Sequence, residues 1–250
     1  MKSGYVGEIF SSIQGEGLYV GRRQVFVRFA GCNLSCVYCD TVKFRKPAKY
    51  CRIEKAGKSE IRKNPMKSVE IFEEVLRLAT PDIHSVSLTG GEPLMAAELA
   101  GEVAKLCKKA SLPVYLETNG SVPEAMKKIV KFIDYASIDV KLPEHKSVKP
   151  GEWESLFKKE LSCVRIARKK AETFVKIVVL PNTKETTIFS VCKEIANLDV
   201  PVVIQPVTPV GEIKEFPRRE FLLKLSEAAA LAGVKDVAII PQVHKFIGFR

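Results

Sequence analysis

The sequence predicts an α/β fold in which about six strand–helix units form an open, partial barrel of parallel strands. Short β-branched runs alternate with longer amphipathic segments after residue 68, a pattern typical of a parallel sheet with helical crossovers. Candidate polar groups follow the ends of the predicted strands: Glu92, Glu117, Lys141 and Gln205. Parallel barrels build their sites at that edge, and six or seven units are too few for a closed eight-stranded barrel.

The individual elements follow from local residue patterns. Runs rich in β-branched and aromatic residues predict strands at 25–29, 85–89, 114–117, 135–140, 174–180, 202–204 and 237–240. Apolar residues at helical spacing predict helices at 69–79, 96–110, 153–170, 186–197 and 221–232, with another helix opening at Pro123. We expect Ser68 to be the N-cap of the first helix, because a serine hydroxyl can accept from a free helical N–H.

Composition favours one domain spanning residues 1–250. The chain is 46% hydrophobic, which is enough for a substantial core. It contains no apolar run of membrane length and no recognisable signal peptide, so we expect a cytoplasmic protein with no membrane partner. Seven cysteines, an odd number, argue against a disulfide scaffold and for a reducing compartment.

Most of the positive charge lies in one segment. Residues 43–67 contain ten Lys or Arg against two Glu, which accounts for +8 of the formal net charge of +11. We expect a solvated basic insertion near the mouth of the site. The alternative is electrostatic steering of an anionic substrate or an acidic electron donor. Because positive and negative side chains nearly balance in the rest of the chain, the composition does not require a nucleic-acid partner.

Three cysteines occur within a short loop, at Cys32, Cys36 and Cys39. Three thiolates leave one iron of a four-iron cluster open, whereas a structural zinc site takes four ligands. The spacing therefore favours an iron–sulfur cluster. There are two alternatives. One is a zinc site that Cys51 completes, and the other is that the three cysteines are unrelated buried thiols.

The loop resembles the CxxxCxxC motif of radical S-adenosylmethionine (SAM) enzymes, with Tyr38 just before the third cysteine. Its flanks, Ile13-Gln14-Gly15-Glu16-Gly17, Arg28 and Cys39-Asp40-Thr41, resemble the 7-carboxy-7-deazaguanine synthases of queuosine and archaeosine (7-deazapurine) biosynthesis. The resemblance runs from about residue 5 to the C-terminus and is interrupted by the basic insertion. It implies an open partial TIM barrel with an N-terminal cluster-binding loop.

The resemblance also implies roles for individual residues. Cys32, Cys36 and Cys39 would be the catalytic ligands of a 4Fe-4S cluster, and Thr41 would bind Mg²⁺. SAM would contact Tyr38, Cys39, Asp40, Gly91, Glu92, Asp139, Val140, Lys141 and Gln205. The substrate would contact Ile13, Gln14, Gly15, Glu16, Arg28, Thr89, Glu117, His244 and the terminal carboxylate of Arg250. For Arg28 the alternative is an outward-facing solvated charge, and for the C-terminus it is a frayed tail.

The implied activity is that of a carbon–nitrogen lyase. A 5′-deoxyadenosyl radical would abstract a hydrogen from 6-carboxy-5,6,7,8-tetrahydropterin, the ring would contract, ammonia would leave, and the hydrogen would return. A homodimer reduced by a flavodoxin or ferredoxin is implied as well. Two other readings remain open: an activase of a glycyl-radical enzyme, and a metal-bearing module that binds RNA through the basic segment.

Overall fold

The structure is a computed structural model that describes residues 2–55 and 57–249. Its strands are β1 (Ser3–Gly4), β2 (Val6–Ile13), β3 (Arg23–Phe29), β4 (Tyr50–Lys55), β5 (Lys58–Lys63), β6 (Met66–Lys67), β7 (Ser85–Gly90), β8 (Val114–Thr118), β9 (Tyr135–Asp139), β10 (Glu172–Val179), β11 (Val202–Pro206) and β12 (Val237–Ile239). Its α-helices are α1 (Ser68–Leu78), α2 (Ala97–Lys109), α3 (Pro123–Ile129), α4 (Trp153–Ala167), α5 (Glu185–Ala196), α6 (Arg219–Leu231) and α7 (Val243–Phe246).

The described strands form a mixed sheet in the order β12-β11-β10-β9-β8-β7-β3-β2-β4-β5, beside a small pair of β1 and β6. Strands β3 and β7 to β12 are parallel to their neighbours within this run. Strands β3 and β7 to β11 are each followed by one of the helices α1 to α6. Because β12 and β5 occupy opposite edges, the sheet does not close, and the predicted open, partial barrel of about six units is confirmed.

The basic insertion contributes to this sheet. Strand β4 pairs in parallel with β2, and β5 pairs antiparallel with β4 at the edge. Every residue of β5 is exposed, as expected for a solvated insertion, but β4 buries Cys51 and Ile53. These two residues alternate with polar ones, the period of a strand with one face in the core. The sequence prediction missed both strands because the surrounding charge obscured that alternation.

One cap prediction is wrong. Ser68 is the first residue of α1, and Lys67 is its N-cap. Glu70 accepts a hydrogen bond from the Lys67 N–H at 2.6 Å, so the cap is made by the acidic residue three positions into the helix. The Ser68 hydroxyl instead donates to Glu102 Oε2 at 2.7 Å, which ties α1 to α2.

The main apolar core lies between the sheet and the helices and includes Val27, Leu88 and Ile204. A second cluster, around Tyr115 and Phe174, lies on another part of the sheet. Burial of these side chains removes apolar area from water, which is the dominant stabilising contribution to the fold. Among the described helices, none has the length and hydropathy to cross a bilayer.

Candidate active site

A large cleft opens at the carboxyl ends of the parallel strands. It encloses about 970 Å³, part of it open to solvent, and Cys32, Cys36 and Cys39 all line it. A smaller pocket of about 460 Å³ shares Glu16, Arg28, Asp40, Thr41, Thr89 and Glu117 with the cleft, so the two are adjacent.

Backbone hydrogen bonds hold the cysteine loop on both sides. The N–H groups of Gly31 and Cys32 donate to carbonyls at the end of the 3₁₀ turn Val42–Phe44, at 2.8 and 3.0 Å. The N–H groups of Ser35 and Val37 donate to carbonyls in the segment after β9, at 2.9 and 3.1 Å. The loop is therefore built into the mouth of the barrel.

Cys51 does not join the three loop cysteines. It is fully buried in the main core, and burial raises the pKa of its thiol to about 12. The three thiols that line the cleft are free and lie apart from that core. A zinc site completed by Cys51 therefore does not fit the structure. The three cysteines that line the cleft match, in number and ligand type, the donors of a four-iron cluster with one open iron.

The glycine pair at the end of β7, Gly90-Gly91, packs directly on the cysteine loop. Glu92 N–H donates to the Gly31 carbonyl at 2.8 Å, and a Cβ on Gly91 would lie 2.2 Å from that carbonyl oxygen. Glycine at position 91 is therefore required by the close approach of two backbones.

Glu92 lines the cleft but directs its carboxylate to the protein. It accepts from Thr118 Oγ1 at 2.6 Å, from Asn119 N–H at 2.7 Å and from Leu94 N–H at 2.9 Å. Burial raises its pKa to about 7, although these three donors oppose the shift. The side chain expected to contact SAM thus also holds together the turns after β7 and β8.

The segment after β9 brings a buried ammonium into the cleft. Lys141 Nζ lies 3.2 Å from Asp139 Oδ2 and 5.6 Å from the centre of the Tyr38 ring. Burial alone would lower the pKa of Lys141, but Asp139, Tyr38 and Cys36 together outweigh burial and raise the pKa well above its ordinary value. The Val140 side chain, predicted to contact SAM, is instead buried in the main core, because alternate residues of this strand end face opposite sides.

Five buried polar atoms of residues that line the cleft lack hydrogen-bond partners in the described part of the chain: Arg28 Nε, Tyr38 Oη, Arg45 Nε, Gln205 Oε1 and Thr208 Oγ1. The last two lie beyond the apolar part of β11. Buried polar groups are nearly always hydrogen-bonded, so such atoms indicate a bound ligand. Gln205 was expected from sequence. Thr208 was missed, although its position just past a strand end is a usable sequence criterion.

The floor of the smaller pocket is aromatic. Phe10 and Phe26 face each other across β2 and β3, with ring centroids 5.0 Å apart and planes 9° apart. The Arg28 guanidinium lies 5.7 Å from the centre of the Phe10 ring, and its Nε is 3.4 Å from Glu8 Oε2. Arg28 therefore lines the pocket and is not an outward-facing solvated charge. Sequence reasoning missed both phenylalanines as pocket residues. Phe10 lies in β2, which was not predicted, and Phe26 lies in a predicted strand whose pairing with β2 was therefore unknown.

The expected substrate residues Gln14, Thr89 and Glu117 form one hydrogen-bond network. Gln14 Nε2 donates to Glu117 Oε1 at 2.8 Å, and Thr89 Oγ1 donates to Glu117 Oε2 at 3.0 Å. The Gln14 side-chain oxygen accepts from the Glu16 N–H at 3.0 Å. Ile13 lines the same pocket. Residues far apart in sequence therefore present a row of oxygen acceptors.

The C-terminal segment closes over this pocket. Val243 N–H donates to the Gly15 carbonyl at 2.9 Å, and a Cβ on Gly15 would lie 2.0 Å from His244 Nδ1. Lys245 Nζ reaches Asp40 Oδ2 at 3.0 Å. The expected contact of the Arg250 carboxylate lies outside the described residues.

Lys176 of β10 was not predicted. It is 5% exposed, forms a short ion pair with Glu16 Oε2, and lies 3.2 Å from Asp139 Oδ1. A single lysine inside the apolar run 174–180 could have been read as a sign of a buried functional charge.

Comparison with known proteins agrees with this geometry. The family model described as the radical SAM superfamily matches residues 26–195. The 7-carboxy-7-deazaguanine synthase of Methanothermobacter thermautotrophicus is 38% identical, with 97% of this chain and 96% of the relative covered. The synthase of the same name from Geobacter sulfurreducens is 36% identical, with 96% of each covered.

The chain belongs to the 7-carboxy-7-deazaguanine synthase family of the radical SAM superfamily. It is accordingly a radical SAM lyase whose cofactors are a 4Fe-4S cluster and SAM. The crystal structure of QueE from Escherichia coli shares the fold, with a TM-score of 0.59, 16% identity, and coverage of 97% of this chain and 95% of that one. These relatives favour the deazaguanine synthase reading over the glycyl-radical activase and the RNA-binding module.

Proposed function

We propose that the chain converts 6-carboxy-5,6,7,8-tetrahydropterin to 7-carboxy-7-deazaguanine with loss of ammonia, in 7-deazapurine biosynthesis. The observation that carries this proposal is the smaller pocket. It combines stacked aromatic rings, one guanidinium and a row of carboxylate and amide oxygens, and it adjoins the cleft lined by the three thiols.

The pocket chemistry suits a carboxylated pterin. The Phe10 ring offers an apolar surface to a flat heterocycle, and the Arg28 guanidinium offers a planar fork to its carboxylate. Glu16 and Glu117 offer oxygen acceptors to the N–H groups of the pyrimidine edge. Glu8 Oε2 contacts Nε of the same guanidinium, and Thr89, Ile13 and His244 complete the walls.

The neighbouring cleft suits SAM and the cluster. Cys32, Cys36 and Cys39 would hold the cluster, and Tyr38, Asp40, Gly91, Glu92, Asp139, Lys141 and Gln205 would surround SAM. When bound, the reduced cluster and SAM supply a 5′-deoxyadenosyl radical that removes a hydrogen atom from the substrate. The chain's contribution is to hold both small molecules in adjacent pockets and to limit access of water to the space between them.

We also propose a Mg²⁺ ion bound by Thr41, whose side chain lines both pockets. A hydroxyl is a suitable ligand for a hard cation that keeps several other oxygen ligands. Thr41→Ala should raise the Mg²⁺ concentration needed for half-maximal turnover. Equal turnover of the unsubstituted enzyme with and without a Mg²⁺ chelator would contradict the assignment.

Other features remain part of the proposal. They are a single domain at residues 1–250 with residues 43–67 as its basic insertion, a homodimer, a cytoplasmic location, and a flavodoxin or ferredoxin as electron donor. The closeness of His244 to Gly15 brings the C-terminal segment to the smaller pocket, which supports a contact of His244 with the pterin.

The decisive experiment is anaerobic reconstitution with iron and sulfide, followed by an assay with 6-carboxy-5,6,7,8-tetrahydropterin, SAM, Mg²⁺ and a reductant. We expect 7-carboxy-7-deazaguanine and ammonia in equal amounts, with SAM regenerated. A reconstituted enzyme that cleaves SAM but leaves the pterin unchanged would overturn the proposed substrate.

A further inference from the structure

Lys176 lies at the boundary between the two pockets. Its strand β10 pairs in parallel with β9, and Lys176 is the register partner of Asp139. Its ammonium contacts Asp139 Oδ1 at 3.2 Å on one side and Glu16 Oε2 on the other. Asp139 lines the large cleft, and Glu16 lines both the cleft and the smaller pocket. One side chain thus touches a residue of each site.

The charges at this boundary depend on one another. Burial alone would lower the pKa of Lys176, but Asp139 and Glu16 raise it well above its ordinary value. Burial alone would raise the pKa of Glu16, yet the adjacent ammonium lowers it to about 2. Both partners are therefore ionised at neutral pH, and neither buried charge would be tolerated without the other.

The two carboxylates differ in what else supports them. Asp139 Oδ2 is also 3.2 Å from Lys141 Nζ, so this residue keeps a cation if Lys176 is removed. Among the described residues, Lys176 is the cation within salt-bridge distance of Glu16. The other carboxylate oxygen of Glu16, Oε1, accepts a hydrogen bond from Gln242 Nε2 at 2.7 Å. Loss of Lys176 should therefore affect Glu16 much more than Asp139.

We propose that Lys176 is a positioning residue for the pterin, which holds the Glu16 carboxylate charged and oriented as an acceptor for the substrate. This inference rests on the proposed function, because it assigns the smaller pocket to the pterin. Lys176 acts through Glu16, and Gln242 of the C-terminal segment fixes the second oxygen of the same carboxylate. The acceptor is thus preorganised before the substrate arrives.

Several ionisable groups surround Glu16, and their charges can contribute to the pH dependence of pterin binding. They are Lys176 on β10, Asp139 on β9, Tyr115 and Glu117 on β8, Arg28 on β3, Asp40 in the cysteine loop, and His244 and Lys245 on α7. Of these, His244 is the group whose ordinary pKa lies near neutrality, and burial lowers it. Glu16 and His244 each shift the pKa of the other, so the pH dependence of each variant reports these two groups together.

The test measures ligand binding without turnover. The fluorescent analogue 6-carboxypterin is titrated into reconstituted enzyme between pH 5.5 and 7.5, and SAM is titrated separately by calorimetry. The variants are Lys176→Met, Lys176→Arg and the control Lys108→Met, which breaks an exposed ion pair with Asp134. Iron content and thermal melts establish that each variant is folded and loaded.

We expect Lys176→Met to weaken 6-carboxypterin binding at least about tenfold at pH 6 and to regain affinity as the pH rises. The sign follows from burial, which raises the pKa of an uncompensated Glu16, so that low pH removes its charge. Lys176→Arg should follow the pH dependence of the unsubstituted enzyme, and SAM affinity should change little in any variant. Lys108→Met should match the unsubstituted enzyme throughout.

If Lys176→Met does not fold, the double variant Glu16→Gln/Lys176→Met removes the unpaired carboxylate and should restore the fold and weak, pH-independent pterin binding. Failure of the double variant to fold overturns the proposal. So does a Lys176→Met enzyme with unaltered pterin affinity, or one that loses pterin and SAM affinity equally. If the unsubstituted enzyme binds SAM but no 6-carboxypterin, the proposed function itself fails.

Discussion

Single cysteines in this chain differ sharply in their surroundings. Cys32, Cys36 and Cys39 line the cleft, whereas Cys51 is fully buried in the main core. Replacement of any loop cysteine by alanine should abolish cluster retention and turnover. Cys51→Ala should retain iron and cost about 1 kcal/mol of unfolding free energy.

Iron analysis after anaerobic reconstitution, together with thermal melts, checks this prediction. Cys51→Ala serves as the matched control for thiol removal. Loss of the cluster from Cys51→Ala, with the fold intact, would show that the ligand set extends beyond the loop.

A second residue-scale prediction concerns the buried carboxylate of Glu160 on α4. Both of its oxygens lie 3.2 Å from the N–H of Lys141, and burial raises its pKa well above the ordinary value although Lys141 opposes the shift. A carboxyl whose pKa is raised on folding contributes its stability below the unfolded-state pKa and loses that contribution as the pH rises. The Glu160→Gln variant has no carboxyl at this position, so its unfolding free energy does not decrease with pH for this reason.

The Tm of Glu160→Gln minus that of the unsubstituted protein should therefore increase from pH 5 to pH 8. Thermal melts across this range measure the difference directly. A difference that stays constant with pH would mean that Glu160 does not titrate differently in the folded protein.

At the scale of elements, Gly15 allows the C-terminal helix α7 to pack against the turn that follows β2. A Cβ on Gly15 would lie 2.0 Å from His244 Nδ1 and 2.5 Å from its Cβ, so Gly15→Ala must displace α7 from the pocket. We expect 6-carboxypterin affinity to fall about tenfold or more, because the wall formed by His244 moves away. SAM affinity and iron content should stay unchanged.

The matched control is Gly151→Ala, before α4. Gly151 has a φ of +85° and no neighbour within 4 Å of an added Cβ among the described atoms, so the change adds only backbone strain of about 1 kcal/mol. Fluorescence titration and thermal melts separate the two effects. Normal pterin binding in Gly15→Ala would show that the helix is not needed to form the pocket.

At the scale of the whole molecule, the positive charge is concentrated at one edge of the sheet. Arg52 and Arg62 of the β4–β5 hairpin pair with glutamates, while Lys58 and Lys63 of the hairpin and Lys46 just before it are exposed. Electrostatic steering accelerates association and is screened by salt. If the hairpin attracts an acidic electron donor, changing these three lysines to glutamine should slow cluster reduction and flatten its salt dependence.

The control removes the same charge elsewhere, through Lys105→Gln, Lys109→Gln and Lys193→Gln on α2 and α5. Stopped-flow reduction by a flavodoxin at several salt concentrations measures both effects. Equal rates and equal salt dependence in the two triple variants would leave the hairpin as a solvated edge without a steering role.

The sequence alone determined the parallel core and much of the candidate site. Strands such as β8 and β11 begin as short apolar runs and continue into Glu117 or Gln205, and the cysteine spacing is a local pattern that needs no tertiary information. Positions 14, 16, 28 and 117 were likewise expected from local motifs, and all of them line the smaller pocket.

Only the tertiary structure decided which of these residues touch, and which others join them. Phe10 and Phe26 form one floor because β2 and β3 pair in antiparallel register, and Lys176 meets Glu16 across 160 positions of sequence. Register and long-range ion pairs depend on how separate elements pack, and no local period encodes that packing. For the same reason the sequence placed Val140 beside the ligand, whereas strand alternation buries its side chain in the core.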